Sequence, residues 1–164
     1  AGTGAAVIFG TTGGVMEAAL RTVAEVVLGE EIADVEYNDV RGMEQTREAV
    51  IKVGEEEVKI AVVHTLASAK KMLDRIKEGT ADYHFIEVMA CPGGCIGGGG
   101  QPVPVNAEIR QKRREALFEC DRANELRKSH ENPEIKVLYD TWLGKPLGEK
   151  AHSLLHTHYS EQKR

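Results

Sequence analysis

No apolar run in these 164 residues approaches the ~20 that a membrane-spanning helix needs. Aromatic residues make up only 5% of the chain, and none are interleaved with a basic stripe. With a net charge of −5, this argues against a nucleic-acid partner. Cysteine is scarce too. Three residues, an odd number, suit a reducing, cytoplasmic setting better than a disulfide framework. The opening Ala1-Gly2-Thr3-Gly4 carries neither a start methionine nor the charged n-region of a signal peptide, so the chain reads as a piece of a longer polypeptide. What is present, 41% hydrophobic and 29% charged, is the balance of a soluble globular protein at one domain's length.

Apolar periodicity divides the chain into elements. Ala5 to Phe9 is a short apolar run closed by Gly10, which predicts a buried strand. Val15, Ala19, Leu20, Val23, Val26 and Val27 then recur at helical spacing up to Gly29. Val35 to Val40 is a further strand candidate. Glu48 to Val53, Gly54-Glu55 and Glu57 to His64 read as a hairpin, with Val58, Ile60 and Val62 alternating. Leu66, Ala69, Met72, Leu73 and Ile76 form one face of a second helix stopped by Gly79, and Tyr83 to Met89 is a buried strand. The order is β-α-β-β-α-β, which implies an α/β fold with a sheet covered by helices.

A helical C-terminal tail follows. Asn106 opens a long helix in which Cys120 is expected on the buried apolar face as an inert thiol. The basic run Arg110 to Arg114 on that helix reads as a solvated face. Asn132-Pro133 starts another helix whose inner face is Ile135, Leu138, Trp142 and Leu143, and a last helix presents Leu154 and Leu155. His152, His156 and His158 have metal-clasping spacing, but no carboxylate or cysteine completes a set, so packing is the expectation. By this division residues 1–102 form an α/β lobe and 103–164 a tail packing on it.

Two places bear chemistry. Gly10-Thr11-Thr12-Gly13-Gly14 is a strand-to-helix turn with the shape of a phosphate cradle, yet it matches neither G-x-G-x-x-G nor G-x-x-x-x-G-K-[ST]. Met89-Ala90-Cys91-Pro92-Gly93-Gly94-Cys95-Ile96-Gly97-Gly98-Gly99-Gly100-Gln101-Pro102 delivers two thiols from a strand into a glycine-rich loop. Thiolates ligate iron–sulfur clusters and zinc, and glycines let backbone approach a bulky inorganic group. On spacing alone, C-x-x-x-C leaves metal ligation, a redox thiol pair and a plain turn all open.

The wording of the loop, from Phe85-x-Glu87-x-Met89-Ala90-Cys91 through Cys95-x-x-Gly98-Gly99-Gly100-Gln101-Pro102, resembles the last of the three cysteine motifs of the iron-only (di-iron) hydrogenases. Ile8 to Arg21 resembles the strand–loop–helix preceding that motif. Arg127 to Pro133 and Ala151-His152-x-x-Leu155-His156-Thr157-His158-Tyr159 resemble the family's helical tail.

The resemblance implies a cofactor, the H-cluster, made of a four-iron, four-sulfur cubane joined to a di-iron unit carrying carbon monoxide and cyanide. The match to Cys91 ligates the cubane, and the match to Cys95 bridges cubane and di-iron unit. Met89 lies against the cluster, while Phe9, Gly13, Gly14 and Val15 contribute to the wall around the di-iron unit. The implied reaction is reversible reduction of protons to dihydrogen. The implied partners are the upstream half of the same catalytic domain and ferredoxin or NAD(P)H-linked electron-transfer subunits. The other two cysteine ligands and the cysteine–glutamate–serine proton relay belong to that upstream half. The isolated chain is therefore expected neither to retain the whole cluster nor to evolve hydrogen. Three other readings stand beside this one: a hydrogenase-like protein of cytosolic iron–sulfur assembly, without the di-iron unit; a sensory hydrogenase, distinguished mainly by the upstream half; and a nucleotide-binding module using Gly10 to Gly14.

Overall fold

Residue alternation along the second half of the predicted hairpin decides the centre of the molecule. In the computed structural model, which describes residues 2–33 and 35–160, this stretch is β2 (Glu56–His64), the middle strand of a three-stranded sheet ordered β1-β2-β3. β1 (Thr46–Val53) pairs with it antiparallel, from Thr46 opposite Val63 to Val53 opposite Glu56. β3 (Phe85–Met89) pairs with it parallel, from Ile60 opposite Phe85 to His64 opposite Met89. A parallel pair needs a crossover, and α3 (Leu66–Lys77) supplies it.

Because successive strand residues face opposite ways, β2 builds two cores. Ile60 and Val62 join Ile51, Val53 and Val40 against Met16, Leu20 and Ala24 of α2 (Gly14–Leu28). Ala61 and Val63 join Ala69 and Met72 of α3 on the other face. The α/β class and the helix-covered sheet are as the sequence predicts.

Several local expectations are overturned. Ala5 to Phe9 is not a strand: Gly4–Ile8 is a short helix, α1. The hydroxyl of Thr3 caps it by accepting from the Ala6 N–H, and the Gly4 N–H donates to the Leu126 carbonyl at 2.8 Å. A five-residue apolar run carries no period to tell strand from helix, and capping decides. Val35 to Val40 is no strand either; within it only Asn38–Val40 forms a regular element, a 3-10 turn. β3 is only partly buried, with Phe85 and Val88 exposed. On α3, Ala69 and Met72 are buried, but Leu66 and Leu73 face solvent.

The inner face of α2 is also not the predicted one. Val23, Val26 and Val27 are exposed, while Glu17 and Arg21 are fully buried. The charges turn inward because each has partners. Arg21 donates to Glu17 at 2.7 Å and to both Asp121 oxygens at 2.7 and 2.8 Å. Arg41 forks onto Glu17 at 2.7 and 2.8 Å and reaches Glu36 at 3.0 Å. Arg127 joins Asp121 at 2.6 Å and Glu36 at 3.2 Å. Three arginines thus meet three carboxylates, so the buried charges balance. Asp121 and Phe118 lie on α4 (Ala107–Ala123), which this network fastens to α2. The same polar packing reverses the expectation for Cys120, whose thiol-bearing residue is exposed. The inward positions of α4 are taken by Phe118 and Asp121 instead.

Residues 2–129 form one compact unit and 130–160 belong to a second. In the second, Asn132 caps α5 (Pro133–Leu138) through the Glu134 N–H at 2.9 Å, and the chain continues through a π-helical turn, Tyr139–Leu143. Of its predicted inner face only Leu143 is buried, and Ile135, Leu138 and Trp142 are partly exposed. The last helix, α6 (Glu149–Leu155), presents Leu154 and Leu155 outward.

Candidate functional site

β3 ends at Met89, and the cysteine loop begins there. Between β3 and Gln101 the only regular element is a 3-10 turn, Cys95–Gly97. Two backbone hydrogen bonds sew this loop to the turn before α2: the Thr12 N–H donates to the Gly93 carbonyl at 3.0 Å, and the Ile96 N–H donates to the Gly10 carbonyl at 3.0 Å. The seam has room only for glycine. Gly94 has φ +95°, and a Cβ there would stand 2.8 Å from the Met89 sulfur, 2.9 Å from the Thr12 nitrogen and 3.0 Å from the Gly10 oxygen. A Cβ on Gly98 would lie 3.3 Å from Cys91 Sγ. Cys91 is half-buried and Cys95 exposed.

The turn itself is anchored from β3. Glu87, 6% exposed, aims its carboxylate at the α2 N-terminus and accepts from the Gly13 N–H at 2.6 Å and the Met16 N–H at 2.8 Å. Burial raises the Glu87 carboxyl above its ordinary range. The Gly13 and Met16 amides and the Arg47 charge pull the other way without cancelling it. This geometry bears on the phosphate-cradle reading, because amides that would bind a phosphate already serve an internal carboxylate.

Arg47 braces the other side of the turn, donating to Thr12 Oγ1 at 3.1 Å and the Val40 carbonyl at 3.2 Å. The fully buried Thr11 hydroxyl has no hydrogen-bond partner among the described residues. α4 closes over the loop from outside. Arg113 donates to the Ile96 and Pro102 carbonyls, both at 2.8 Å, and the aliphatic stem of Arg110 crosses the glycines at 93 and 97. At least two residues of the expected solvated basic face therefore hold the loop.

The site residues read from sequence fall into two groups. Met89, Cys91, Cys95, Gly13 and Gly14 come together around the seam, and Gly13 and Gly14 are buried. Val15 is half-buried in the first turn of α2, but Phe9 is 46% exposed, so no described residue closes over it. Sequence reasoning missed Glu87, Arg47, Arg113 and His64, the last donating nothing to the loop but accepting from Gly93. The one signal available was a carboxylate in an otherwise apolar strand, Phe85-Ile86-Glu87-Val88-Met89. Among the described residues no three His, Cys, Asp or Glu side chains gather to hold a metal, and the rings of His152, His156 and His158 only pack on one another, at 4.5 and 5.4 Å between centroids. Among the described residues no helix is long and apolar enough to cross a membrane.

The loop's chemistry would fit half of a cluster site: two thiols in a glycine-rich segment, the Met89 thioether against Gly94, and in the adjoining turn a buried Thr11 hydroxyl with no partner among the described residues. Residues 1–99 match the family "iron only hydrogenase large subunit, C-terminal domain", and residues 107–162 match "iron hydrogenase small subunit". The chain is 53% identical over 165 aligned residues to the NADP-reducing hydrogenase subunit HndD of Solidesulfovibrio fructosivorans, covering 100% of this chain but 28% of that relative. It is 32% identical to cytosolic iron–sulfur assembly component 3 of Rattus norvegicus, across 92% of this chain and 31% of the relative. Among solved structures, a variant of the FeFe-hydrogenase HydA1 from Chlamydomonas reinhardtii superposes with a TM-score of 0.70 at 42% identity, covering 92% of this chain and 45% of that one. The chain thus spans less than half the length of each of these relatives, and it belongs to the C-terminal domain family of the iron-only hydrogenase large subunit.

Proposed function

We propose that this chain is the C-terminal part of an iron-only hydrogenase catalytic domain and supplies two cysteine ligands to the H-cluster. Cys91 would ligate the cubane, and Cys95 would join cubane and di-iron unit. The observation that carries the reading is the pair of hydrogen bonds between the cysteine loop and the Gly10 to Gly14 turn, which bring the thiols and the wall residues Gly13, Gly14 and Val15 into one neighbourhood. Met89 would set a polarizable sulfur against the cluster, a soft neighbour for iron and sulfide. Phe9 would complete the wall once the rest of the domain closes over it. When bound, the H-cluster supplies reversible interconversion of protons and electrons with dihydrogen, while this chain supplies ligation, burial and a glycine-lined approach.

The remaining ligands and the proton relay would come from the upstream half of the same domain. Electrons would come from ferredoxin or an NAD(P)H-linked subunit, an assignment supported by the NADP-reducing relative. Three free thiols support a cytoplasmic setting. The isolated chain, with two thiols for four ligand positions, would be inactive. Iron analysis and a hydrogen-evolution assay on the chain after maturation test this, and robust turnover would overturn it.

The likeness to an iron–sulfur assembly component keeps a second reading in view, in which the cysteines hold a cubane alone. Infrared bands of iron-bound carbon monoxide and cyanide in the full-length protein separate the two. Their presence supports the hydrogenase reading, and a cubane without them supports the assembly reading.

A further inference from the structure

β2 ends at His64, and the next residue leaves the allowed strand region altogether. Thr65 has φ +77° and ψ 140°, a strained conformation for a β-branched residue. Such a conformation persists only where its surroundings over-determine it, and here they do. The His64 N–H donates to the Gln45 carbonyl at 3.0 Å and the Thr65 N–H to the Met89 carbonyl at 2.8 Å. Thr65 Oγ1 accepts from the Ser68 N–H at 3.3 Å and donates to Ser68 Oγ at 3.0 Å, and Ser68 Oγ donates to Gln45 Oε1 at 3.0 Å. The positive φ lets the chain leave the 64–65 peptide, fixed to Met89, and turn at once into α3.

The His64 side chain, 4% exposed, faces the other end of the loop. Its Nδ1 accepts from the Gly93 N–H at 3.3 Å, and its Nε2 lies 3.1 Å from the Met43 carbonyl. A ring set between one donor and one acceptor has a single fitting tautomer, with the proton on Nε2 and the lone pair on Nδ1. One dipeptide therefore holds the loop twice, at Met89 two residues before Cys91 and at Gly93 midway between Cys91 and Cys95.

We propose that His64 and Thr65 are the positioning element of the cysteine loop, with His64 Nδ1 fixing the stance of the backbone between the two thiols. The proposal rests on the reading of Cys91 and Cys95 as ligands, but its test needs no iron. Three variants of the 164-residue chain separate the role of Nδ1 from simple packing: His64→Ala, His64→Asn and His64→Gln. Asparagine places its amide oxygen near the position of Nδ1, whereas glutamine places its polar atoms near that of Nε2.

The readouts are hydrogen exchange of the Gly93 amide by NMR and the alkylation rate of Cys91 relative to the exposed Cys120. Losing one hydrogen bond predicts a roughly 5–10-fold rise in Gly93 exchange for His64→Ala and His64→Gln, with His64→Asn within about 2-fold of the parent. The Cys91 to Cys120 alkylation ratio should move in the same order. Amides of Ile60 and Val62 serve as controls for the sheet. If His64→Ala fails to fold, the contrast between asparagine and glutamine decides. Equal effects of those two, or none, overturn the proposal. Iron content of Cys91→Ser and Cys95→Ser variants of the matured full-length protein tests the ligand reading separately.

Discussion

Replacing Glu87 should destabilise the molecule substantially, and its cost can be worked from the geometry. Glu87→Ala leaves the Gly13 and Met16 N–H groups, which the carboxylate bonds at 2.6 and 2.8 Å, without acceptors in a buried place. Each orphaned donor costs about 1–3 kcal/mol, and loss of a negative charge at a helix N-terminus adds about 0.3–1 kcal/mol. Against this, the mutation abolishes the cost of burying the carboxylate, so about 2–4 kcal/mol is the net expectation. That is a large share of the ~5–15 kcal/mol by which folded domains are stable.

Urea denaturation followed by circular dichroism measures it, and the midpoint should fall by about 1–2 M. The pH dependence has a definite sign. Burial raises the Glu87 carboxyl above its ordinary 4.5 in the folded chain, against the opposing amides and Arg47. Its contribution is therefore complete below the unfolded value and is lost as pH rises through the raised folded value. Glu87→Gln should remove that decline from the stability profile. An unchanged urea midpoint for Glu87→Ala would refute the claim that this carboxylate anchors the turn.

Other consequences are as specific. Asp121→Ala removes the buried carboxylate shared by Arg21 and Arg127, leaving them Glu17 and Glu36, and should cost about 3–5 kcal/mol in denaturant titration. Burial raises the Asp121 carboxyl, but its bonds to Arg21 and Arg127 outweigh this and hold it below the ordinary 3.8. The stability it contributes should therefore disappear as pH falls through that depressed value. Gly94→Ala should force the seam apart, since φ is +95° and the new methyl meets Met89 and Thr12; faster hydrogen exchange at the Thr12 and Ile96 amides is the signature. Cys120→Ser, at an exposed thiol, should leave iron content of the full-length protein unchanged, in contrast to Cys91→Ser and Cys95→Ser.

The hairpin and the second helix were legible because period-2 alternation and a glycine stop are local signals, and Ile60, Val62 and Met72 occupy the cores as expected. The loop itself was legible as a glycine-rich segment carrying two cysteines directly after a strand, β3. Illegible was whatever depended on partners distant in sequence. Glu17 and Arg21 looked like the outer face of a helix until Asp121, 100 residues on from Arg21, supplied a buried counter-charge. Cys120 looked buried because apolar periodicity assumes an apolar interior, whereas α4 docks through Phe118 and Asp121. Phe85 and Leu73 looked like core for the same reason, and both are exposed. His64 gave no sign of its role, since its acceptor duty depends on Gly93 being brought to the end of β2.

The reciprocal bonds between residues 10 and 96 and between 12 and 93 have a mechanical meaning. They rivet the turn at residues 10–14 to the sulfur-bearing segment, so the two shift as a single plate rather than as neighbouring loops. Anything that displaces the turn, such as a bulkier side chain at its glycines, will be felt as a change in the spacing and stance of the two cysteines.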